Sequence, residues 1–540
     1  MVIKSLKLTA LIFGIFLFVG TILPQTVFAQ NYENSPFGFH YASQLEDYTT
    51  DLGIKWVRVN AVWGMIQTEE DIITGNFNWN AFESDSKINA YPDNTYFLIT
   101  LSVLGTPLSG TGTYVPHTGV YADTSWISFT KAVVTRYQDR VKYFQVENEP
   151  KPYKTDFAEL QEITYNAIKE ECLECQVLMG GVFWAKGSLS EWDILNQQIL
   201  IDLNGNYVDI FDQHYYGNSD EYNPHILLEH ARQRLTEANF IETPIWITEM
   251  GDYSGDPLEK GGLNPPYQSE QVQAQSLFKR YVSSLVLGID KIFWAFGLYE
   301  GFHHDTTYFD FTGLIYDGEY DHDLGYGVKK LAYYTYKKMT EMLEGSNWDS
   351  ITTIIDSVDN NYAYKFINDS TGEPTYIAWW DYFDDISYPE ADSSLLTLSE
   401  ISSNQVIVTN AVPNDIAGIY ITDFNTAFVT DTLNVTNGSV SFYLKESPVF
   451  IEAYNSTSVN DNVFDNNIDI FPNPTNGIFT VEGTNIQLVE IINIKGQTIK
   501  QLSIDNEHLL INLSDRSKGI YFVKIVNDRG IIRKKIVLIE

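Results

Sequence analysis

The sequence predicts a multidomain chain: a (β/α)8 TIM barrel, then a β-sandwich, then a small all-β domain at the C-terminus. Three observations lead there. Eight short, β-rich apolar runs alternate with amphipathic helical stretches between residues 35 and 343. The helical signal then stops, and short alternating runs separated by turn residues fill 350–454 and again 468–540. Two glutamates, Glu149 in YFQVENEP and Glu249 in PIWITEMG, each close a strand-like run and stand 100 residues apart. A parallel barrel gathers the C-terminal ends of its strands on one face, so residues this distant in sequence can meet there.

Taken in order, residues 1–29 read as a signal peptide. Lys4 and Lys7 precede an apolar stretch from Leu8 to Leu23, and Val27-Phe28-Ala29 supplies a small-x-small cleavage site. An uncleaved anchor is the rival, but the stretch is short for a full span, and no later segment is long and apolar enough for one. The barrel is assigned to 30–343. Its strand runs are FGFHY (Phe37 to Tyr41), IKWVRVN (Ile54 to Asn60), TYFLITLSV (Thr95 to Val103) and VKYFQVE (Val141 to Glu147). QVLMGGV (Gln176 to Val182), YVDIFDQHYY (Tyr207 to Tyr216), PIWITE (Pro244 to Glu249) and KIFWAFG (Lys291 to Gly297) follow. Helical segments such as FAELQEITYNAIKEE carry apolar residues at spacings of three and four. A doubly wound open sheet is the alternative, but no Gly-rich phosphate loop follows the first strand. The sandwich is assigned to 344–455, a polar aperiodic linker to 456–466, and the last all-β domain to 467–540.

The chain is 540 residues long, with a net charge of −37. So acidic a protein is a poor partner for nucleic acid or anionic lipid, which excludes those function classes. The only cysteines, Cys172 and Cys175 in ECLEC, can form a local disulfide in an oxidising compartment. They lack the further ligands of a zinc site and the context of a redox motif. His225, Glu229 and His230 do not have metalloprotease spacing, and His303, His304 and Asp305 read as a loop following the eighth strand. No metal or cofactor is expected.

Two opposed carboxylates are what glycoside hydrolysis requires, one as proton donor and one as nucleophile or base. Around them the barrel region resembles the retaining glycoside hydrolases of clan A. RYQDRVKYFQVENEP (Arg136 to Pro150) is similar to that clan's fourth strand, whose Asn-Glu-Pro carries the acid/base, although Glu147 stands where Trp is common. WGMIQ…GNFNW (Trp63 to Trp79) resembles the segment after the second strand, with Gln67 near where an acidic residue is usual. FDQHYYG resembles the sixth strand, PIWITEMG the seventh and FWAFG the eighth. The layout of a barrel followed by a sandwich resembles family 39, and the barrel also resembles family 5. Separately, FPNPTNGIFTVEG, INIKGQTI and GIYFVKI…IIRKKIVL resemble the sorting domain of the type IX secretion system.

The resemblance implies a secreted enzyme cleaving β-linked glycans with retention, its partners being an oligo- or polysaccharide and the type IX machinery. Glu149 is expected as acid/base and Glu249 as nucleophile. Arg58 and Tyr216 would hydrogen-bond Glu249, Asn148 would meet the sugar 2-hydroxyl, and Trp294 would lie beneath the innermost sugar. His214 is either a site residue or a core histidine satisfied by backbone, and for His40 packing is preferred over a pocket-lining role. Trp63, Trp379 and Trp380 read as packing residues. Burial or the neighbouring carboxylate is expected to raise the Glu149 pKa. The competing function is a catalytically inactive, carbohydrate-binding or adhesive surface protein. Localisation is expected to be secreted or at the outer cell surface, by way of the periplasm. Long loops, Leu104 to Asp123 and Gly251 to Glu270, are expected to wall the substrate.

Overall fold

The structure is a computed structural model that describes residues 32–40, 45–81, 88–182, 189–217, 222–258, 265–319, 323–358, 360–381, 393–454, 469–483, 486–493, 497–503, 508–527 and 530–539. The expected leader (1–29) and linker (456–466) lie outside these described residues. The chain divides into two compact units, Met1–Tyr454 and Asn455–Glu540.

Eight parallel strands make the barrel: β1 Phe37–His40, β2 Trp56–Val62, β3 Tyr96–Ser102, β4 Tyr143–Val146, β5 Gln176–Leu178, β6 Phe211–Tyr216, β7 Ile245–Gly251 and β8 Ile292–Trp294. They neighbour one another in the order β5-β4-β3-β2-β1-β8-β7-β6. The circle closes between β5 and β6 through the parallel bridges Leu178↔Ile210 and Val182↔Gln213. The run expected to be a strand from Gln176 to Val182 is therefore regular only to Leu178, and its second half serves as the seam. The fourth run stops at Val146 because Glu147 turns to φ 62°.

Among the described residues six longer helices surround the strands: α1 Asp123–Tyr137, α2 Phe157–Glu171, α3 Leu189–Leu203, α4 His225–Glu237, α5 Glu270–Val286 and α6 Leu331–Leu343. Helix α5 shows why they form. The Ser269 side chain accepts a hydrogen bond from the Val272 amide and so caps the first turn, and Ala274, Leu277, Phe278, Tyr281 and Leu285 fall on a buried face.

Alternation along the strands builds the interior in layers. In β2, Val57, Val59 and Ala61 join the large core beneath the helices, whereas Trp56 joins a separate cluster with Leu98, Leu178, Ile210, Trp246 and Phe293. That cluster is the apolar floor of the barrel, and the ring of Trp56 meets that of Trp246 edge-on at 5.2 Å. Arg58, one inward position further along β2, begins a polar layer above the floor.

After α6 come β9 Thr352–Val358, β10 Asn361–Ile367, β11 Pro374–Trp380, β12 Ser394–Leu398, β13 Gln405–Asn410, β14 Thr430–Asn434, β15 Val440–Leu444 and β16 Val449–Tyr454. They form a six-stranded antiparallel sheet and a two-stranded one. Strand β11 is buried on both faces, as its TYIAWW run allows. Tyr376, Ala378 and Trp380 pack into the sandwich core, while Ile377 and Trp379 belong to the core shared with the barrel. The Trp379 indole donates to Tyr222 Oη at 3.0 Å, and Phe450 meets Phe278 of α5 at 5.2 Å. The second unit holds β17 Asp469–Phe471, β18 Ile478–Glu482, β19 Ile486–Asn493, β20 Thr498–Ser503, β21 His508–Asn512, β22 Gly519–Asn527 and β23 Gly530–Leu538, in a three-stranded and a four-stranded antiparallel sheet over its own core. The disulfide Cys172–Cys175 is formed, in the turn between α2 and β5.

One buried carboxylate ties barrel to sandwich. Glu270 accepts from Tyr316 Oη at 2.9 Å, from the Leu331 amide at 2.8 Å and from the Gly418 amide at 2.8 Å. Glu270→Ala strands these donors, and a loss of about 3 kcal/mol in unfolding free energy is expected, read as a lower urea midpoint by tryptophan fluorescence.

Candidate active site

Every site residue expected from the sequence except Trp294 comes together, from within β2, from β6 and β7, and from just beyond the end of β4. Arg58 is the hub. It is fully buried, and its guanidinium donates from Nη1 to Glu249 Oε1 at 2.6 Å and from Nη2 to Asn148 Oδ1 at 2.7 Å. Its Nε reaches Gln145 Oε1 at 2.9 Å and Thr100 Oγ1 at 3.0 Å. Such a cation is tolerated only because its donors are met by acceptors and one of those acceptors is ionised.

Glu249 is 2 % exposed, and its second oxygen accepts from Tyr216 Oη at 2.9 Å. Burial and the Glu249 charge push the Tyr216 phenol well above its ordinary pKa, so Tyr216 stays a neutral donor. Glu149, with a side chain 22 % exposed, is the more open carboxylate. The imidazole of His214 lies between the two: Nδ1 is 2.9 Å from Glu149 Oε1 and 3.2 Å from Glu249 Oε2. Glu149, His214 and Glu249 each bring a ligand atom within 4.8 Å of the others. His214 is thus held by side chains and not by backbone.

The direction of the Glu149 pKa differs from the sequence expectation. Burial raises it, but the hydrogen bond and charge of His214, with the Lys151 ammonium 3.9 Å away, outweigh burial and hold the carboxyl below its ordinary value. For His214 burial acts downward, and Glu249 and Asp212 overcome it, pushing the imidazole up to about 10.

The platform role expected of Trp294 does not fit. Its side chain is 0 % exposed, lies in the main core and donates from Nε1 to the Thr312 carbonyl at 2.9 Å. It supports the turn beyond β8 from inside. Beyond it lies Phe296, half-buried, whose ring is 4.9 Å from that of His40 and stacks on Phe302 at 4.3 Å and on Tyr216 at 6.1 Å. His40 itself is 3 % exposed, kept neutral by burial and by Arg58, and neither ring nitrogen has a hydrogen-bond partner among the described residues. The packing preferred for it from sequence leaves those two polar atoms unanswered.

Sequence reasoning missed the layer underneath. Asp212, fully buried on β6, accepts from Gln145 Nε2 at 2.5 Å, from Thr248 Oγ1 at 2.5 Å and from the Thr248 amide at 2.9 Å. Its Oδ2 also lies 3.3 Å from His214 Nε2. Burial raises the Asp212 pKa, but His214 and Arg58 hold it below its usual value. Glu147, in its left-handed conformation, accepts from the Val103 amide at 2.5 Å and from Ser102 Oγ at 3.1 Å, which moors the end of β4 to β3. The loop after β3 is pinned by Asp156, which accepts from the Tyr114 amide at 2.8 Å, and by Lys154, which donates to the Leu108 carbonyl at 2.7 Å.

The Glu149–His214–Glu249 trio has the composition of a metal set, but its charges already compensate one another, with Arg58 on Glu249 and the imidazole between the carboxylates. Two further acidic groups, His304–Asp317–Glu319 and Glu300–Asp317–Asp323, gather in the loop after β8, where Glu300 is paired with Lys330. In that loop His303, His304 and Asp305 give their backbone amides to Asp310, at 2.6, 3.1 and 2.6 Å.

Residues 469–540 match the family model of the secretion system C-terminal sorting domain. The tail is a secretion sorting domain. It marks the chain for type IX secretion to the cell surface or the exterior, and among the described residues no helix is long and apolar enough to cross a membrane. Among the solved structures that share the fold of most of the chain are two glycoside-cleaving enzymes. A family 39 glycoside hydrolase from the gut symbiont Bacteroides cellulosilyticus WH2 matches with a TM-score of 0.53 at 16 % identity, over 78 % of this chain and 81 % of that one. A glucosidase from Croceicoccus marinus matches with a TM-score of 0.52 at 11 % identity, over 77 % of this chain and 95 % of that one. No curated protein matches in sequence.

Two predictions follow from the geometry. A Cβ at Gly181 would fall 1.9 Å from His214 Nε2, so Gly181→Ala must displace the ring; a loss of roughly 1–3 kcal/mol is expected in chemical denaturation. The raised His214 pKa stabilises the fold fully below the unfolded value near 6.5, and this stabilisation is lost as pH rises toward about 10. The unfolding free energy of the native protein relative to His214→Gln should therefore decline steadily across that window.

Proposed function

We propose that the chain is a secreted glycoside hydrolase that cleaves β-linked glycans with retention of configuration, Glu149 acting as acid/base and Glu249 as nucleophile. The observation that carries this reading is the approach of the two carboxylates, whose nearest oxygens lie within 4.8 Å of each other at the C-terminal mouth of the barrel. Retaining enzymes hold their carboxyl groups about 5–5.5 Å apart, whereas inverting ones separate them by about 6.5–9.5 Å to admit a water. The division of labour follows from environment. Glu249 is buried, oriented by Arg58 and Tyr216, and suited to remain an ionised nucleophile. Glu149 is more open, where a leaving group can meet it.

Asn148 Oδ1 accepts from Arg58 Nη2, which leaves the amide nitrogen of Asn148 for a sugar 2-hydroxyl, a bond that tightens in the transition state. The loops after β3 and β4 wall the leaving-group side, because Glu149 lies at the start of the second.

Release of reducing ends from a panel of purified polysaccharides by the full-length protein tests the activity. On the polysaccharide cleaved, Glu249→Gln is expected to lower turnover at least about 10³-fold. Glu149→Gln should lower it by about 10²–10⁴-fold, and azide should rescue Glu149→Ala on aryl glycosides with good leaving groups, yielding a glycosyl azide of retained configuration. Full turnover by both glutamine variants would remove the assignment.

A further inference from the structure

His214 sits where a proton must be accounted for. Its Nδ1 faces Glu149 Oε1 at 2.9 Å and Glu249 Oε2 at 3.2 Å, and its Nε2 faces Asp212 Oδ2 at 3.3 Å. Thr248 Oγ1, also 3.3 Å from Nε2, already donates its own hydrogen to Asp212. Both ring nitrogens therefore face acceptors, and only the doubly protonated imidazolium supplies a hydrogen to each. The ring is fully buried, with Gly181 packed against it on the β5 side. The charged and titratable groups around it are Glu149 from the end of β4, Glu249 from β7, Asp212 and the phenol of Tyr216 from β6, Arg58 from β2 and neutral His40 from β1, with Lys151 beyond Glu149.

A retaining hydrolase must begin with one protonated and one ionised carboxyl group. Two ionised carboxylates bridged by an imidazolium contain the same number of protons. We propose that the proton Glu149 donates is stored in the resting enzyme on His214, and that buried Asp212 is the positioning residue that keeps it there. The proposal rests on the hydrolase reading above and adds the origin of its proton. When the glycosidic oxygen meets Glu149, the Nδ1 proton passes to the Glu149 carboxylate, and neutral His214 keeps its Nε2–H toward Asp212. Glu149 then protonates the leaving oxygen as the C1–O bond breaks and Glu249 bonds to C1. In the second half, ionised Glu149 takes a proton from water as the water oxygen attacks C1 and frees Glu249, and that proton returns to Nδ1. The upward push on His214 and the downward one on Glu149 agree with this resting state.

The decisive measurement is histidine-selective ¹⁵N NMR of the full-length protein between pH 6 and 10, with His214 assigned by the signal lost in His214→Gln. A ring still doubly protonated at pH 8 is expected, and a neutral tautomer there overturns the storage site. In Asp212→Asn that ring should titrate at least about one pH unit lower. The alkaline limb of kcat/KM on the hydrolysed glycan should shift down with it, and an unmoved titration and limb would remove the role of Asp212. Should Asp212→Asn not fold, Asp212→Ser also removes the carboxylate and should shift the titration in the same direction; no shift overturns the role equally. The hydrolase reading fails separately, through Glu249→Gln that retains turnover, and the wild-type spectrum places the proton in either case.

Discussion

The ion pair of Arg58 with Glu249, sealed inside the barrel, is the interaction on which the rest of the site depends. Burying either charge alone costs several kcal/mol, and breaking such a pair typically costs about 3–5 kcal/mol because the survivor is left uncompensated. The barrel meets this constraint by extension. Arg58 also engages Gln145, Thr100 and Asn148; Gln145 turns its amide to Asp212; Asp212 holds Thr248 and faces His214; and His214 returns to both glutamates. The network closes on itself, so the geometry of each carboxylate is set by groups on other strands. Position is fixed by the need to satisfy polar atoms in a dry interior, with packing as the second constraint.

The two-residue period of the strands puts this network above an apolar floor. Trp56, Leu98, Trp246 and Phe293 shut the N-terminal end, and the residues two positions further along β2, β3 and β7 are Arg58, Thr100 and Thr248. A one-residue slip in any of these strands would aim the polar side chains at the helices. The floor and the polar layer therefore specify one register together, and the placement of the two carboxylates at the mouth follows from it.

Much of this was legible in the sequence, for identifiable reasons. The eight strands announce themselves as β-rich runs, and Glu149, Glu249, Arg58, Asn148, His214 and Tyr216 are placed by the strands that carry them. The rest depended on facts that one-dimensional patterns do not contain. Trp294 and Phe296 lie two residues apart in one apolar run, and which of them is sealed in the core is decided by the turn after β8. Asp212 looks like an ordinary acidic residue in FDQHYYG, since its partners come from β4 and β7. Gly181 reads as one more residue of the fifth strand run, yet its missing side chain is the space the imidazole occupies. The sign of the Glu149 shift is not legible in the sequence, because the cation that sets it, His214, comes from another strand.

The doubly buried strand β11 bears on how such a chain is inherited. With Ile377 and Trp379 in the core of the barrel and Tyr376 and Trp380 in that of the sandwich, neither face of the strand is free to drift toward solvent. A recombination event that exchanged the barrel alone would hand its recipient a raw apolar wall and a sheet matched to another partner. The unit that can travel between genomes is thus the whole of Met1–Tyr454. The sorting domain, with a core of its own, can be traded freely onto other cargo.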